Sequence, residues 1–506
     1  MNRPAHNSTV RLSANLPRVE IESIPAAVSA ARVAQVRWAA TPLGTRLSLI
    51  RELRHLISEN ASQLAEASAS ARQRPALESL TAEVLPLAEA CRFLERNAAS
   101  VLATRSLGRR ALPLWLAGVR REIRREPLGV VLIIGPGNYP LLLPGVQMIQ
   151  ALVAGNAVLL KPGVGGTAAP LALIELIVRA GFDSHLVSLL PESAAVARAA
   201  IDTQPNKVLF TGSAATGEKI LQQLAPHLIP ATMELSGSDA VVIRADADLD
   251  LVTKALVFGL TLNAGATCMA PKRVFVHRSS ATELEGRLAR AFPIELSLRL
   301  APGVSASVRP VLEEALAAGV HFIAGGLHND GSVLAPVVLG GATPGSRLLR
   351  EDLFAPVLIV STVASDDEAV TRANESPFAL GASVFSRDHA ASRELAARLH
   401  AGVVSINDLI VPTADAHVPF GGRKRSGFGV TRGAEGLLEL TAPKVITVSW
   451  SKFRPAFEPP HPQDEAMFQA YLGLTHGRSL GQRARALLAL CQSLSRRSKK
   501  SKQSTL

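Results

Sequence analysis

Apolar positions follow three regimes along the chain. From Ile24 to about Ala103 they recur at helical spacing: Leu47, Ile50, Leu53, Leu56 and Ile57 mark one face, and Leu64 continues it. The run Leu87-Ala88-Glu89-Ala90-Cys91-Arg92-Phe93-Leu94 puts Cys91 with Leu87, Ala88 and Leu94 on one helical side, where a thiol packs as a small hydrophobe. From Gly129 the pattern changes to short, uninterrupted apolar runs between turn residues. Val130–Ile134 is closed by Gly135-Pro136-Gly137, Ala157–Leu160 by Lys161-Pro162, and Lys207–Phe210 by Thr211-Gly212; a further strand is expected at 186–190. A helical run to Gly155 and another around 168–180 lie between them. Strands alternating with helices in this way predict a parallel sheet covered on both faces. A second α/β unit begins near 238, with a helix at about 308–319 and a late strand at Val445–Val448. The third regime follows Pro455, Pro459, Pro460 and Pro462, which read as a linker. There Leu480, Ala484, Leu487, Leu488, Cys491 and Leu494 fall on one helical face.

Two stretches stand outside these regimes. Residues 1–20 read as a polar, loosely ordered lead. Residues 117–126 carry Arg120, Arg121, Arg124 and Arg125 around Val119 and Ile123, which predicts an exposed strand with a solvated charged face.

Composition sharpens this picture in three places. At 506 residues, 47% hydrophobic and 19% charged, the chain is globular and holds several domains. Aromatics make up only 4%, so the core must be built from Leu, Val, Ile and Ala. No apolar run reaches membrane-span length, and Met1–His6 lacks an apolar signal core, so a cytoplasmic location is expected. Cys91, Cys268 and Cys491 are far apart, and no CxxC or HExxH occurs, so neither a disulfide framework nor a metal site is expected. The net charge of +12 is concentrated at one end. Beyond Glu465 there is no acidic residue, while Arg478, Arg483, Arg485, Arg496, Arg497, Lys499, Lys500 and Lys502 follow. A basic amphipathic helix of this kind suits an anionic membrane surface, and a solvated, partly disordered tail is an equal reading of the same residues. The absence of interleaved aromatics argues against nucleic acid.

Candidate chemistry sits in three strings. Leu262-Asn263-Ala264-Gly265-Ala266-Thr267-Cys268-Met269-Ala270-Pro271 holds one thiol among small residues that let a ligand approach. Ala231-Thr232-Met233-Glu234-Leu235-Ser236-Gly237 holds one carboxylate in an uncharged run. Together they point to covalent catalysis assisted by a general base. Thr211-Gly212-Ser213-Ala214-Ala215-Thr216-Gly217, a strand opening into glycine and then a helix, is a place to hold phosphate or a dinucleotide.

These strings keep company with Glu126-Pro127-Leu128-Gly129, Gly135-Pro136-Gly137-Asn138-Tyr139-Pro140, Ala154-Gly155-Asn156 with Lys161-Pro162, Ala245–Asp250, Asp352-Leu353-Phe354-Ala355-Pro356 and Pro419-Phe420-Gly421-Gly422. In that order and spacing, over roughly residues 25–450, the chain resembles the aldehyde dehydrogenase superfamily. The resemblance implies an α/β fold with a doubly wound parallel-sheet cofactor domain (20–107 and 127–235) and an α/β catalytic domain (236–431). It also implies a small bridging, oligomerising element of strands (108–126 and 432–452), and leaves 453–506 as a basic C-terminal extension. It implies NAD or NADP as cofactor, a small-molecule aldehyde as substrate and a homodimer or tetramer. Cys268 would be the nucleophile, Glu234 the general base, and Asn138 an N–H donor to the oxyanion. Lys161 would hold the adenosine ribose; Gly212, Ser213, Gly217 and Leu235 would line the cofactor; Asp352 and Phe354 would contact its nicotinamide half.

Several positions depart from that pattern. Gly137 replaces a usual Trp and is expected to widen the substrate entrance. Ser236 stands at a usual glycine, and its Cβ is expected to crowd the cofactor. Asp352 is one methylene shorter than the usual glutamate. Val164 takes the place of a glutamate common in NAD-preferring members, which opens the way to NADP. Arg72-Gln73-Arg74-Pro75 replaces a usual Thr-Gly-Lys-Pro. Two other readings of the same residues are acyl transfer to coenzyme A and a catalytically inactive family member that acts as a binding scaffold.

Overall fold

The computed structural model describes residues 20–108, 112–113, 116, 118–292, 298–300, 303–326, 333–334, 336–450, 457 and 459–503. The polar lead to residue 19, Pro455 of the proline linker, and the side chains of the basic run Arg496–Lys502 lie outside the described residues. The chain forms two compact units: residues through Thr104 with Arg124–Lys444, and Arg105–Ile123 with the chain from Val445 onward.

The larger unit is built on two sheets. The first has six strands in the order Gly427–Phe428, Ala231–Leu235, Lys207–Gly212, Val130–Ile134, Ala157–Lys161, Val187–Leu189. All neighbours are parallel except the first pair. Val130–Ile134 and Ala157–Lys161 are buried throughout, as expected of parallel strands covered on both faces. Every residue of the helix Leu142–Ala154 is buried, which explains a run that is apolar all round rather than amphipathic. It ends at Gly155, whose φ of +94° is open to glycine and strained for other residues. The N-terminal helices Ile24–Ala40, Leu43–Glu59, Ala61–Arg72 and Leu85–Val101 join the same core. Cys91 is fully buried there, and burial pushes its thiol pKa up to about 12, so it is an inert packing residue.

The second sheet has seven strands in the order His321–Ala324, Val337–Gly340, Val357–Val363, Pro271–His277, Asp239–Ile243, Gly381–Phe385, Val403–Ile406. All are parallel except the edge strand His321–Ala324. The expected helix at 308–319 runs Val304–Ala317.

One stretch behaves differently from its composition. The glycine-rich segment 419–429 reads as a loop, yet Gly427–Phe428 is an edge strand antiparallel to Met233 and Glu234. A Cβ on Gly427 would lie 1.9 Å from the Met233 carbonyl oxygen, so only glycine admits this pairing.

In the smaller unit, Arg105–Ser106 pairs antiparallel with Glu122 and Ile123. It belongs to a three-stranded sheet with Val119–Pro127 and Thr441–Ser449. Val119–Pro127 is half-buried for most of its length, more than its four arginines suggest. Arg121 accounts for part of this by donating to the Gly108 carbonyl at 2.9 Å. The chain ends in a helical hairpin, Asp464–His476 and Leu480–Gln503. Ala486 packs against Gly473 across the hairpin, while Leu480, Leu487, Leu488, Cys491 and Leu494 stay exposed. Among the described residues no helix is long and apolar enough to cross a membrane.

Candidate active site

A cleft of about 310 Å³ opens where the two sheets of the larger unit meet, and its walls come from strand ends and the loops that follow them. Open α/β sheets offer ligands this crevice because helix N-termini and free backbone groups gather there. Asn138, Gly212, Ser213, Glu234, Leu235, Cys268, Asp352 and Phe354 all line it, joined by Gly137, Leu143, Thr211 and Ser236. Two of the expected residues stand back. Lys161 is buried at the end of its strand. Gly217 lies inside the helix Ala214–Leu224, where a Cβ would meet Leu235 at 2.8 Å; its smallness lets Leu235 reach the wall.

Cys268 is half-buried, between the turn Leu262–Gly265 and the strand Pro271–His277. Three successive residues before it, Asn263, Ala264 and Gly265, have positive φ (50°, 51° and 73°). Such strain persists only where the surroundings enforce it. They do so from several sides. Asn263 donates its backbone N–H to Glu78 at 2.9 Å and its side-chain amide to the Asn138 carbonyl at 3.0 Å. Asn138 Nδ2 donates to the Ala266 carbonyl at 3.0 Å, which points its amide at the cysteine loop. The Tyr139 hydroxyl bonds Thr267 Oγ1 at 2.6 Å. Lys272 Nζ, buried and pushed down to about 8 by that burial, donates to the Ala355 carbonyl at 2.7 Å and ties the loop to the Asp352–Pro356 segment.

Behind Asn138 lies a buried ion pair. Glu83 binds Arg74 and Ser68 through one oxygen, and with the other accepts the N–H groups of Leu141 and Leu142 at 2.8 and 2.9 Å. Arg74, from the string that departs from the family pattern, also lies over the Tyr139 ring at 5.3 Å and donates to the Asn138 carbonyl at 3.4 Å.

Glu234 sits in the strand Ala231–Leu235 at 3% exposure. Its Oε2 accepts from Thr431 Oγ1 at 3.3 Å, and among the described residues its Oε1 has no partner. Burial raises its pKa, with Arg432 and the Thr431 bond opposing. A buried carboxyl held above its ordinary range is suited to accept a proton near neutrality. Burial, together with Glu234 and Asp239, also raises the Cys268 thiol, again with Arg432 opposing. Asp239, pushed up to about 7 by burial, accepts the Gly381 N–H at 3.0 Å.

The opposite wall is built from a strand end and a helix N-terminus. Ser213 Oγ caps the helix Ala214–Leu224 by accepting the Thr216 N–H, leaving that N-terminus facing the cleft beside Gly212. Ser236 does more than occupy space: it lines the cleft with Asp352 and opposes burial there, lowering a carboxyl that burial raises. Gly137 serves to admit a loop, since a Cβ there would stand 3.1 Å from the Val164 carbonyl. Val164 itself is 80% exposed. A carboxylate reaches this region from Glu192, which accepts the Gly165 N–H at 2.8 Å and the Thr167 hydroxyl at 3.1 Å and acts electrostatically on Lys161.

Sequence reasoning passed over Glu83, Glu192, Thr431 and Arg432. Glu83 carries the same signal as Glu234, a lone carboxylate in an uncharged run, Leu80-Thr81-Ala82-Glu83-Val84-Leu85. Glu192, Thr431 and Arg432 carry no local signal.

The geometry can be set beside known proteins. A profile of the aldehyde dehydrogenase family matches residues 3–446. The 4,4'-diapolycopene aldehyde oxidase of a Methylomonas species is 31% identical over 443 residues, 86% of this chain and 83% of that protein. A Mycobacterium tuberculosis protein provisionally named succinate-semialdehyde dehydrogenase [NADP(+)] 2 is 32% identical over 444 residues, 84% of each chain. The NAD+ complex of an aldehyde dehydrogenase from Bacillus cereus superposes with a TM-score of 0.80 at 29% identity, covering 86% of this chain and 90% of that one. With a match running through almost every string that lines the cleft, and relatives above 30% identity over most of both chains, this chain belongs to the aldehyde dehydrogenase family.

Proposed function

We propose that the protein oxidises an aldehyde to its carboxylic acid with NAD or NADP as acceptor. The observation that carries this reading is the shared cleft: Cys268, Glu234 and Asn138 on one part of its wall, Gly212, Ser213, Leu235, Asp352 and Phe354 on the rest. The Cys268 thiolate adds to the aldehyde carbonyl, forming a C–S bond and a thiohemiacetal oxyanion. The Cys268 backbone N–H and the second N–H of the Asn138 amide are the donors at hand for that oxygen. A bound nicotinamide dinucleotide supplies the two-electron acceptor that turns the thiohemiacetal into a thioester. Glu234 then takes a proton from water, hydroxide adds to the thioester carbon, the C–S bond breaks, and acid and thiol are released. A base at this place supports hydrolysis over acyl transfer to coenzyme A, which needs no activated water. Glu192 beside Lys161 supports NAD, since a carboxylate there accepts a ribose 2′-hydroxyl and repels a 2′-phosphate.

The test is a panel of aldehydes, from long apolar ones to succinate semialdehyde, each with NAD and with NADP, followed by absorbance of the reduced cofactor. Turnover with at least one aldehyde and none in Cys268→Ala is expected, with cofactor binding intact in the variant. Near-native turnover in Cys268→Ala would exclude covalent catalysis here. Cofactor binding without turnover across the panel would favour the scaffold reading.

Two features of the smaller unit extend the proposal. Thr441–Ser449 is exposed along most of its length and ends its sheet, and Val445 and Trp450 are 61% and 70% exposed. An edge strand of this kind needs cover, which supports self-association as a homodimer or tetramer, measurable by light scattering. The exposed face Leu480, Leu487, Leu488 and Leu494 is flanked by exposed Arg483 and Arg485, which supports attachment of a cytoplasmic enzyme to an anionic membrane surface. The full chain should co-sediment with anionic vesicles, less so as salt rises, and a chain truncated after Pro462 should not. Equal sedimentation of the two removes the tail from the account.

A further inference from the structure

Arg432 is built into the site at a cost. Its backbone is held at φ 63°, ψ 171°, a region that a Cβ makes unfavourable and glycine occupies freely. The strain has a definite setting. Thr431, one residue before, exchanges backbone hydrogen bonds of 2.7 Å with Phe420 and sends its hydroxyl to Glu234. The Arg432 side chain turns back over the Phe420 ring, with Cζ 4.9 Å from the centroid, and donates to the Thr413 carbonyl. Phe420 packs in turn with Met269 and Cys268. The guanidinium therefore covers a ring of the apolar cluster against which Cys268 packs.

The charges around the reacting pair are unequal. Glu234 and Asp239 face Cys268 from the ends of their strands, and both disfavour a thiolate; the Met269 N–H and Arg432 favour it. Glu234 is faced by the Thr431 hydroxyl and Arg432. Lys272 and Arg273 are directed elsewhere: Lys272 acts on Asp239 and Asp352, Arg273 on Asp239. Among the described residues, Arg432 is thus the cation acting on both Cys268 and Glu234. A thiolate and a carboxylate side by side in a buried cleft repel each other, and a nearby positive charge relieves both.

We propose that Arg432 is a positioning residue of this site, the counter-charge shared by the Cys268 thiolate and the Glu234 carboxylate, kept in place by a backbone conformation that glycine would adopt more readily. The proposal rests on the reading of Cys268 as nucleophile and Glu234 as base, and adds the group that lets the two be ionised together.

The strain itself supplies a clean variant. Arg432→Gly removes the charge and relaxes the backbone, so it should fold with a thermal midpoint at or above that of the parent. The measurement is the pH dependence of Cys268 alkylation by iodoacetamide in the full chain, read by peptide mass mapping because Cys491 is also exposed. Arg432→Gly should shift the profile upward by about one pH unit, slowing alkylation about tenfold below the midpoint. Arg432→Lys, which keeps the charge without the planar stack, should stay close to the parent. A merely structural role for Arg432 would leave the profile in place. Superimposable profiles for the glycine variant and the parent would overturn the proposal. So would an unmoved profile accompanied by a raised KM for carboxylate-bearing aldehydes alone, which would make Arg432 a substrate anchor. Alkylation requires no aldehyde, so this result stands apart from the panel experiment: absence of turnover counts against the oxidation, not against Arg432.

Discussion

Among the described residues two glutamates are buried, Glu83 at 0% exposure and Glu234 at 3%, and their surroundings are opposite. Both oxygens of Glu83 are engaged, one with Arg74 and Ser68, the other with two backbone N–H groups at the start of the helix Leu142–Ala154. Among the same residues, Glu234 has one bond of 3.3 Å and one oxygen with none. A buried carboxylate whose partners are complete holds its neighbours still; one whose partners are missing is unstable as a charge and ready to take a proton. Glu83 braces the loop that carries Asn138, and Glu234 waits across the cleft. Burial and sequence context alone do not separate them; the count of partners does.

That contrast can be broken most directly at Glu234. Glu234→Gln should slow thioester hydrolysis by about 10²–10⁴-fold, the usual worth of a general base. Acylation should persist, so stopped-flow traces should show a burst of reduced cofactor and then a slow steady rate. An unchanged steady rate excludes Glu234 as the base. The same variant has a stability signature. The folded pKa of Glu234 is raised by burial, so its contribution is fully present below the ordinary carboxylate range and is lost as pH rises through the raised value. Glutamine never ionises, so the variant should gain on the parent with rising pH, by about 1–3 kcal/mol near neutrality. A gap in thermal midpoint that does not widen between acid and neutral pH contradicts this.

At Glu83 the expected sign is reversed. Glu83→Gln leaves Arg74 buried and unpaired and should cost about 3–5 kcal/mol in urea unfolding. A loss below about 1 kcal/mol, near the median worth of an exposed pair, would show that the ion pair is not the brace.

Asp352 sharpens the comparison from between the two. It is half-buried, with burial raising its pKa and the Ser236 hydroxyl and Lys272 opposing. Ser236→Ala removes the hydroxyl that opposes burial at Asp352 and should weaken cofactor binding about fivefold, near 1 kcal/mol, by fluorescence titration. An unmoved dissociation constant would mean that Ser236 does not support the cofactor wall through Asp352.

Much of this molecule is already present in its local chemistry. Uninterrupted runs such as Val130–Ile134 and Ala157–Leu160 can be satisfied only between two covering layers, so the parallel sheet and its helices follow from neighbouring residues. The strings around Cys268, Glu234 and Gly212 were legible for the same reason: small residues, a single reactive group and a strand end lie within a few positions of one another. The contacts that distinguish this site span far greater distances. Asn138 reaches Ala266 across 128 residues, and Glu234 reaches Thr431 across 197. No periodicity encodes such pairs, because periodicity reports which side of an element is buried and not what it is buried against. For that reason only the folded chain decided that Gly427 lies on Met233, that Arg74 completes Glu83, and that Arg432 bends over Phe420. It also decided the fate of the tail, where a helical apolar face was evident in the residues but its exposure, with Leu480 at 84% and Leu488 at 64%, depended on Ala486 meeting Gly473 instead.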